Sequence, residues 1–349
     1  MAVTAADIAQ KLGVSRQSVS KVLVGGKSNV RVSESLATRV RAVADELGYR
    51  PDTAARMIST GRRGSIDLLM STEAGASVLY SGVIRGIQDG LIEHDVQLTV
   101  SRLPDTKLTD ADYVPKILRE QSADGILVNY THLVPPDLPA LLKKHRIPAI
   151  WLNTKRDARC VYPDEVDAFA RGTQHLIDLG HKRIAFYLTS EHGHFSEADR
   201  RQGYEHAMHQ AGLTPQVQFA GAAPRFVCDA NPLEDDRLAR ALAWLKSPDR
   251  PTAVVAYAQI DTTLLAYAAA QLGLELGKDL SLVGVSEDEG VNHLGAPLTQ
   301  LVTPRRQVGR SGVEMLLRQI EEPDRRDSSL AVEVPLMIGH STASPTGVA

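Results

Sequence analysis

Cysteine is nearly missing from this chain: Cys160 and Cys228 are the only two in 349 residues, and they stand far apart. That scarcity suits a reducing cytoplasm and argues against a zinc knuckle, leaving both thiols as small buried hydrophobes. No apolar run approaches the roughly 20 residues that a bilayer-spanning helix needs, so no membrane partner is expected. The opening Met1-Ala2-Val3-Thr4-Ala5-Ala6-Asp7 lacks a basic patch followed by an apolar stretch, and no secretory signal is expected there. Neither a Gly-x-Gly-x-x-Gly nor a Walker loop occurs, which removes support for hydride transfer and nucleotide hydrolysis. Gly284-Val285-Ser286-Glu287-Asp288 begins like a nucleophile elbow but lacks the final glycine that the sharp turn requires. Glu191-His192-Gly193-His194 and His206-x-x-His209 lack a metal-ligand spacing and a third ligand. No catalytic residue, cofactor or metal is therefore expected.

What the chain does hold is an uneven distribution of charge. Residues 1–64 carry eleven lysines and arginines against five acids, a surplus of six positive charges, while the remainder carries a surplus of nine negative ones. A basic head on an acidic body is the electrostatic footprint of nucleic-acid binding. A merely lopsided solvated surface would give the same count.

The head reads as short helices. Thr4-Ala5-Ala6-Asp7 has the form of a capping box, and Ala5, Ile8, Ala9 and Leu12 follow at helical spacing. Gly13 suits the left-handed residue that ends a helix. Ser15 then caps a second helix running to about Leu23, with Val19, Val22 and Leu23 inward and Arg16, Gln17, Ser20 and Lys21 outward. Two helices joined by a tight glycine-containing turn form a helix-turn-helix. Arginine can donate two hydrogen bonds to guanine and glutamine can pair bidentately with adenine, and both stand at the end of the helix that enters the major groove. A solvated polar face is the plain alternative. Ser33 caps a third helix carrying Leu36, Val40, Val43 and Leu47. The segment 52–58, ending in Ile58, is too short to fold alone and suits a piece that orders on DNA and wedges a side chain into the minor groove. Residues 59–64 read as linker.

From Ser65 the pattern becomes short apolar strands alternating with helices. Strands are expected at Ile66–Met70, Val96–Val100, Gly125–Val128, Ile147–Leu152, Arg183–Leu188, Ala253–Tyr257 and Leu280–Val285. Helices are expected at Val78–Glu93, Tyr113–Glu120, Leu138–His145, Val166–Leu179, Arg200–Ala211, Leu238–Lys246 and Asp261–Leu272. Such alternation predicts parallel sheets covered by helices, and its length predicts two subdomains with a ligand cleft beyond the carboxyl ends of the strands.

Several runs of the head, from Thr4-Ala5-Ala6-Asp7-Ile8-Ala9 through Val19-Ser20-Lys21-Val22-Leu23 to Leu47-Gly48-Tyr49-Arg50-Pro51 and Ala55-Arg56, resemble the lactose/galactose repressor (LacI/GalR) family. In the body, Leu176 to Ala185, Arg200-Arg201-Gln202-Gly203-Tyr204, Asp279 to Gly284 and Pro297-Leu298-Thr299 extend the resemblance over nearly the whole chain. It implies an all-α helix-turn-helix head on an α/β body of two periplasmic-binding-protein-like lobes. The implied division is residues 1–51 for the DNA-binding domain, 52–64 for a hinge helix and linker, and 65–349 for effector binding and dimerisation. It implies that Arg16, Gln17 and Lys21 read bases, that Thr4, Ser15, Ser20, Arg31 and Ser33 contact DNA nearby, and that Ala55 and Ile58 belong to a hinge paired with its twin. In the body it points to Tyr80, Trp151, Asn153, Arg200, Asp261 and Ser286 as effector contacts. Read from the residues alone, Arg200 and Asp261 also fit a structural ion pair, and Trp151 or Tyr80 a place in the core. Departures are Val24 and a longer loop at 25–29, Ser286 in place of an aspartate, and Gly339-His340-Ser341-Thr342 in place of an arginine-bearing run.

The reading that follows is a cytoplasmic, homodimeric DNA-binding regulator, a repressor on a pseudo-palindromic operator, controlled by a small carbohydrate-like effector. A purine or another metabolite is the alternative effector, and a sugar-binding protein without DNA function is the alternative class. No heptad follows the last strand to suggest a tetramerising coiled coil.

Overall fold

The computed structural model describes the chain apart from residues 1–2, 24–29, 51–56, 58–60, 74, 110–119, 121, 190–192, 222–235, 288–296, 326 and 346–349. It divides into two compact units, one of Met1–Ser65 with Gln121–Asp124 and one of the remaining residues.

The first unit is helical. The helices α1 (Ala5–Leu12), α2 (Arg16–Leu23) and α3 (Glu34–Glu46) close on Ile8, Val19 and Val40, all fully buried, with Ala9 and Ala44 beside them. Each start is fixed by a side chain. The Thr4 hydroxyl accepts the Asp7 amide at 3.4 Å while the Asp7 carboxylate accepts the Thr4 amide at 2.8 Å, a reciprocal capping box. Ser15 Oγ accepts the Ser18 amide at 3.1 Å, and Ser33 Oγ accepts the Leu36 amide at 3.4 Å. Gly13 ends α1 at φ 66°, a backbone state that a β-carbon disfavours, and so aims the chain into α2.

The second unit is built from two six-stranded sheets. The first has strand order β11-β5-β4-β3-β1-β2 and the second β12-β10-β9-β8-β6-β7. In the first lobe these are β1 (Ser65–Ser71), β2 (Gln97–Leu103), β3 (Gly125–Val128), β4 (Ala149–Leu152), β5 (Cys160–Pro163) and β11 (Leu330–Val332). In the second they are β6 (Ile184–Leu188), β7 (Gln216–Phe219), β8 (Ala253–Ala256), β9 (Ser281–Ser286), β10 (Thr299–Val302) and β12 (Leu336–Met337). The central pairs are parallel, such as Leu68 opposite Leu127 and Val254 opposite Leu282, and β12 runs antiparallel to its neighbour β10. Strands β1, β3 and β4 are buried along almost their whole length, as parallel strands covered on both faces must be.

Helices α4 (Ser81–Ile92), α5 (Leu138–Lys144) and α10 (Arg305–Glu321) cover the first sheet. The second is covered by α6 (Glu165–Asp178), α7 (Phe195–Gln210), α8 (Arg237–Lys246) and α9 (Gln259–Gln271). The chain passes between lobes three times: from β5 to α6, from β10 to α10, and from β11 to β12. The second passage follows from α10, a helix of 17 residues that returns to the first lobe and buries Val308, Val313 and Leu316 there.

The predicted alternation and lobe pattern are present, with local differences. Helix α7 starts at Phe195, five residues ahead of the expected Arg200, because the His194 ring caps it by accepting the Ser196 amide. The sequence reading gave no place to α10, β5, β7 or the three last strands. These strands have two to four residues each, and Gly309 and Gly312 dilute the apolar pattern of α10. The helix expected at Tyr113–Glu120 lies outside the described residues except for Glu120.

Gly309 lets α10 approach α4 closely: a β-carbon there would fall inside contact distance of the Val83 carbonyl, and one at Gly86 on α4 would strike the Arg306 carbonyl. Helix propensity alone favours alanine over glycine by about 1 kcal/mol. Gly309→Ala is nevertheless expected to destabilise the body by about 1–3 kcal/mol, the usual range for overpacking, seen as a lower urea midpoint at unchanged slope. A rise in the midpoint would show that the helices yield.

Candidate functional site

On the head, Arg16 and Gln17 are exposed in the first turn of α2, and Ser20 and Lys21 are half-buried on the same helix. That first turn holds no acidic residue, so the partial positive charge of the helix end is not offset within it. Such an end faces phosphate favourably. Thr4, Ser15 and Ser33 are exposed residues whose hydroxyls already cap helices, and Arg31 is exposed just ahead of α3. Ala55 and Ile58 lie outside the described residues.

In the body, charged side chains gather beyond the carboxyl ends of the strands. Arg200 on α7 is 2% exposed and pairs bidentately with Glu165 at the start of α6, Nε to Oε2 at 2.8 Å and Nη2 to Oε1 at 2.7 Å. Its Nη1 donates to the Tyr257 carbonyl at 2.6 Å and reaches Glu287 at 3.4 Å. Glu287, just past β9, also accepts from Arg305, the first residue of α10. The guanidinium of Arg305 lies 4.0 Å from the centroid of the Tyr80 ring. Burial works against charge on Glu287, yet Arg305 and Arg200 hold its pKa down at about 2. Burial likewise opposes the charge of Arg200, but Glu165 and Glu287 keep it well above its ordinary value. Two N–H groups of Arg305, at Nε and Nη1, are buried with no partner among the described residues. A buried donor without an acceptor is costly and is normally satisfied.

Further contacts join the lobes around this network. His194 Nε2 donates to the Asn153 carbonyl at 3.0 Å, and its ring lies 5.2 Å from that of His132. Because Nδ1 accepts the Ser196 amide at 3.3 Å, the neutral tautomer with its proton on Nε2 satisfies both partners. Lys155, after β4, pairs with Asp199 on α7 at 2.6 Å.

The residues named from the sequence divide. Arg200 and Tyr80 stand in the charge network, and Asn153 contributes its carbonyl to the lobe contact from a left-handed backbone at φ 52°. Ser286 is buried next to Glu287, its own carbonyl accepting the Thr303 amide at 2.9 Å. Arg200 and Asp261 do not pair with each other. Asp261 accepts the amides of Thr189 and Ala258 at 3.0 Å each, tying the end of β6 to the start of α9, and burial pushes its pKa up to about 6. Trp151 stands apart from these groups. Strand alternation turns its ring to the α5 side of the sheet, into the cluster of Leu69, Tyr130 and Leu142, where Arg156 covers it at 4.5 Å. The sequence reading missed Glu165, Glu287, Arg305 and His194 as groups of this site. The one available signal was Glu287 beside Ser286; nothing in the local pattern marks the others as buried.

Two families match the chain: bacterial regulatory proteins of the lacI family over residues 4–52, and a periplasmic binding protein-like domain over residues 173–342. The HTH-type transcriptional repressor PurR of Vibrio vulnificus is 29% identical over 328 residues, covering 92% of this chain and 93% of that protein. The ribose operon repressor of Escherichia coli is 25% identical over 346 residues, covering 96% and 98%. Among solved structures, the lac repressor dimer bound to operator and the anti-inducer ONPF superposes with a TM-score of 0.72 at 21% identity, covering 98% of this chain and all of that one. The transcriptional regulator CelR in complex with cellobiose does so at 0.61 and 22%, covering 97% and 99%. Likeness at this identity establishes the fold.

Burial holds His194 neutral, lowering its pKa to about 3. Its ordinary value is near 6.5, so the unfolded chain binds the extra proton first as pH falls. The contribution of His194 is therefore fully present above about pH 6.5 and is lost as pH drops toward 3, by at most about 1.4 kcal/mol per unit. Asp261, with its raised value, runs the other way below about pH 6, so the two must be separated. His194→Gln should flatten the fall in melting temperature between pH 6.5 and 5, as followed by calorimetry on both proteins; parallel curves would remove His194 as the cause.

Proposed function

The chain belongs to the lacI family of bacterial regulatory proteins, and on that premise we propose that it is a cytoplasmic, homodimeric repressor whose hold on an operator is set by a small hydroxylated effector in the cleft. The observation that carries the effector half is Arg305: a buried guanidinium, spread over Tyr80, with two donors open. Fixed donors beside a carboxylate and an aromatic face make the arrangement that recognises ring oxygens and hydroxyls while covering an apolar sugar face. The ribose operon repressor among the relatives, and a cellobiose complex among the structural neighbours, support a sugar. The relatives are repressors, which supports a binding role over a catalytic one.

The DNA half rests on the basic head and on the exposed Arg16 and Gln17 at the start of α2. In the proposed dimer, two heads read half-sites in successive major grooves, about 34 Å apart per helical turn. Ala55 and Ile58, with residues 52–64 as hinge and linker, carry the effector's signal to them. The effector acts by binding one lobe arrangement more tightly than the other, since equal binding shifts nothing. A planar purine-like effector is the second reading, favoured by the Tyr80 and Tyr257 rings beside the two arginines.

Two experiments test this. A thermal-shift panel of neutral sugars, sugar acids, sugar phosphates and purines is expected to give a stabilising hit among the sugars. Arg305→Lys keeps the charge that Glu287 needs but loses the planar fork, and should weaken that hit about tenfold or more, the effect of losing a well-placed donor. An unchanged affinity would remove Arg305 from the effector site, and a hit confined to purines would select the second reading. On DNA, Arg16→Glu should weaken operator binding by about 10-fold or more beyond its effect on random sequence. Equal losses on both would reassign Arg16 to the phosphates.

A further inference from the structure

Away from the cleft, on the α5 side of the first sheet, lies a cavity of about 800 Å³. Its walls include Leu142 and Pro148, the ring of Trp151, and three cations, Lys143, Arg146 and Arg159. One acid, Asp324, stands at its edge, leaving the lining with a surplus of two positive charges. Elsewhere in the body arginines pair with carboxylates, as Arg171, Arg200, Arg240, Arg310 and Arg325 do. Lys143 and Arg146 form no ion pair with a described residue. Arg159 is half-buried, and its guanidinium lies against a neutral group, the side-chain amide of Gln319, itself 3% exposed. The amide packs against the guanidinium without neutralising it.

The backbone gives a second, independent observation. Arg146 and Arg159 are both left-handed, at φ 53° and 58°. Arg146 sits at the residue after the C-cap of α5, where its amide donates to the Lys143 carbonyl and the Ile147 amide to the Leu142 carbonyl, each at 3.1 Å. That pair of bonds defines the Schellman turn, whose left-handed position glycine fills without strain. An arginine there runs against the local preference, and such outliers persist where something other than local stability keeps the side chain.

We propose that this cavity is a second ligand site, distinct from the effector cleft, for a planar organic anion such as an aromatic carboxylate or sulfonate. Lys143 and Arg146 meet the anionic group with Arg159 beside them, and the apolar wall with Trp151 takes the ring. A volume of this size suits a small organic molecule, and a lining that combines an apolar wall with charged and polar groups can meet both a ring and its anionic substituent.

The test uses the full-length protein and the tryptophan already in the wall. The chain has two tryptophans, and the other, Trp244, stacks on Tyr187 in the second lobe. Trp244→Phe therefore leaves Trp151 as the sole energy donor. Titration with anilinonaphthalene sulfonate should give saturable transfer from Trp151, and phenylnaphthylamine, its uncharged analogue, should bind at least about tenfold more weakly, since a lining with a surplus of two positive charges selects charge. Arg146→Gly removes a cation while giving the turn its preferred residue, so the melting temperature should hold or rise while sulfonate affinity falls about tenfold. Lys143→Ala, at an exposed position, should weaken the sulfonate in the same direction. Equal binding of charged and uncharged probes, or full sulfonate affinity in Arg146→Gly, would overturn the site.

Discussion

The arrangement of the body depends on four charges buried together: Glu165, Arg200, Glu287 and Arg305. Taking each from water is expensive, several kcal/mol per ion even after relaxation, and the attraction between them offsets this only when geometry is good and the remaining donors and acceptors are met. Most are met here. Glu165 holds Arg200 by two bonds, Arg200 also donates to a backbone carbonyl, and Glu287 stands between two guanidinium groups. Two of the four sit beside interlobe passages, Glu165 just after the first and Arg305 just after the second. The set therefore fixes where the chain turns from one lobe to the other. The part that is not satisfied, the pair of open donors on Arg305, is where incoming chemistry has most to gain.

How much of this was legible in the sequence follows from the range of each interaction. The head was readable almost residue by residue, because its caps are local: Thr4 with Asp7, Gly13, Ser15 and Ser33 each act within three or four positions of themselves. The sheets were readable as a rhythm, because parallel strands buried on both faces write short continuous apolar runs. The cleft was legible only through resemblance. Glu165 and Arg200 lie 35 positions apart, and Arg305 is more than a hundred positions from Arg200. No local pattern reports that such residues are buried, and a buried glutamate reads in sequence like a solvated one. Trp151 faces the core for a local reason. Strand β4 leads toward the cleft, but alternation turns Trp151 to the face opposite Ile150 and Leu152, away from it, and only the left-handed turn at Asn153 beyond the strand reaches the lobe contact.

The two halves of the molecule use charge in contrasting ways. On the head, cations such as Arg16 and Arg31 are exposed and suited to phosphate and base edges, where water and ions compete and association varies with salt. In the cleft the cations are dry, held by carboxylates and carbonyls, and able to discriminate by geometry. A protein that answers a dilute metabolite by changing its hold on a polyanion needs both kinds. Long-range attraction brings the polymer; short-range fit recognises the metabolite.

Helix α10 begins at Arg305, among the buried charges of the cleft, and carries Gln319, which lies beside Arg159 in the wall of the other cavity. At 1.5 Å per residue its 17 residues reach about 25 Å. Gly309 and Gly312 seat it so closely against α4 and Leu152 that it has little room to bend or roll independently of the lobe. The helix is thus a strut with a socket at each end. Torque applied at one socket would be delivered, with little slack, at the other, so occupancy of either would be legible to its counterpart without a messenger crossing the sheet.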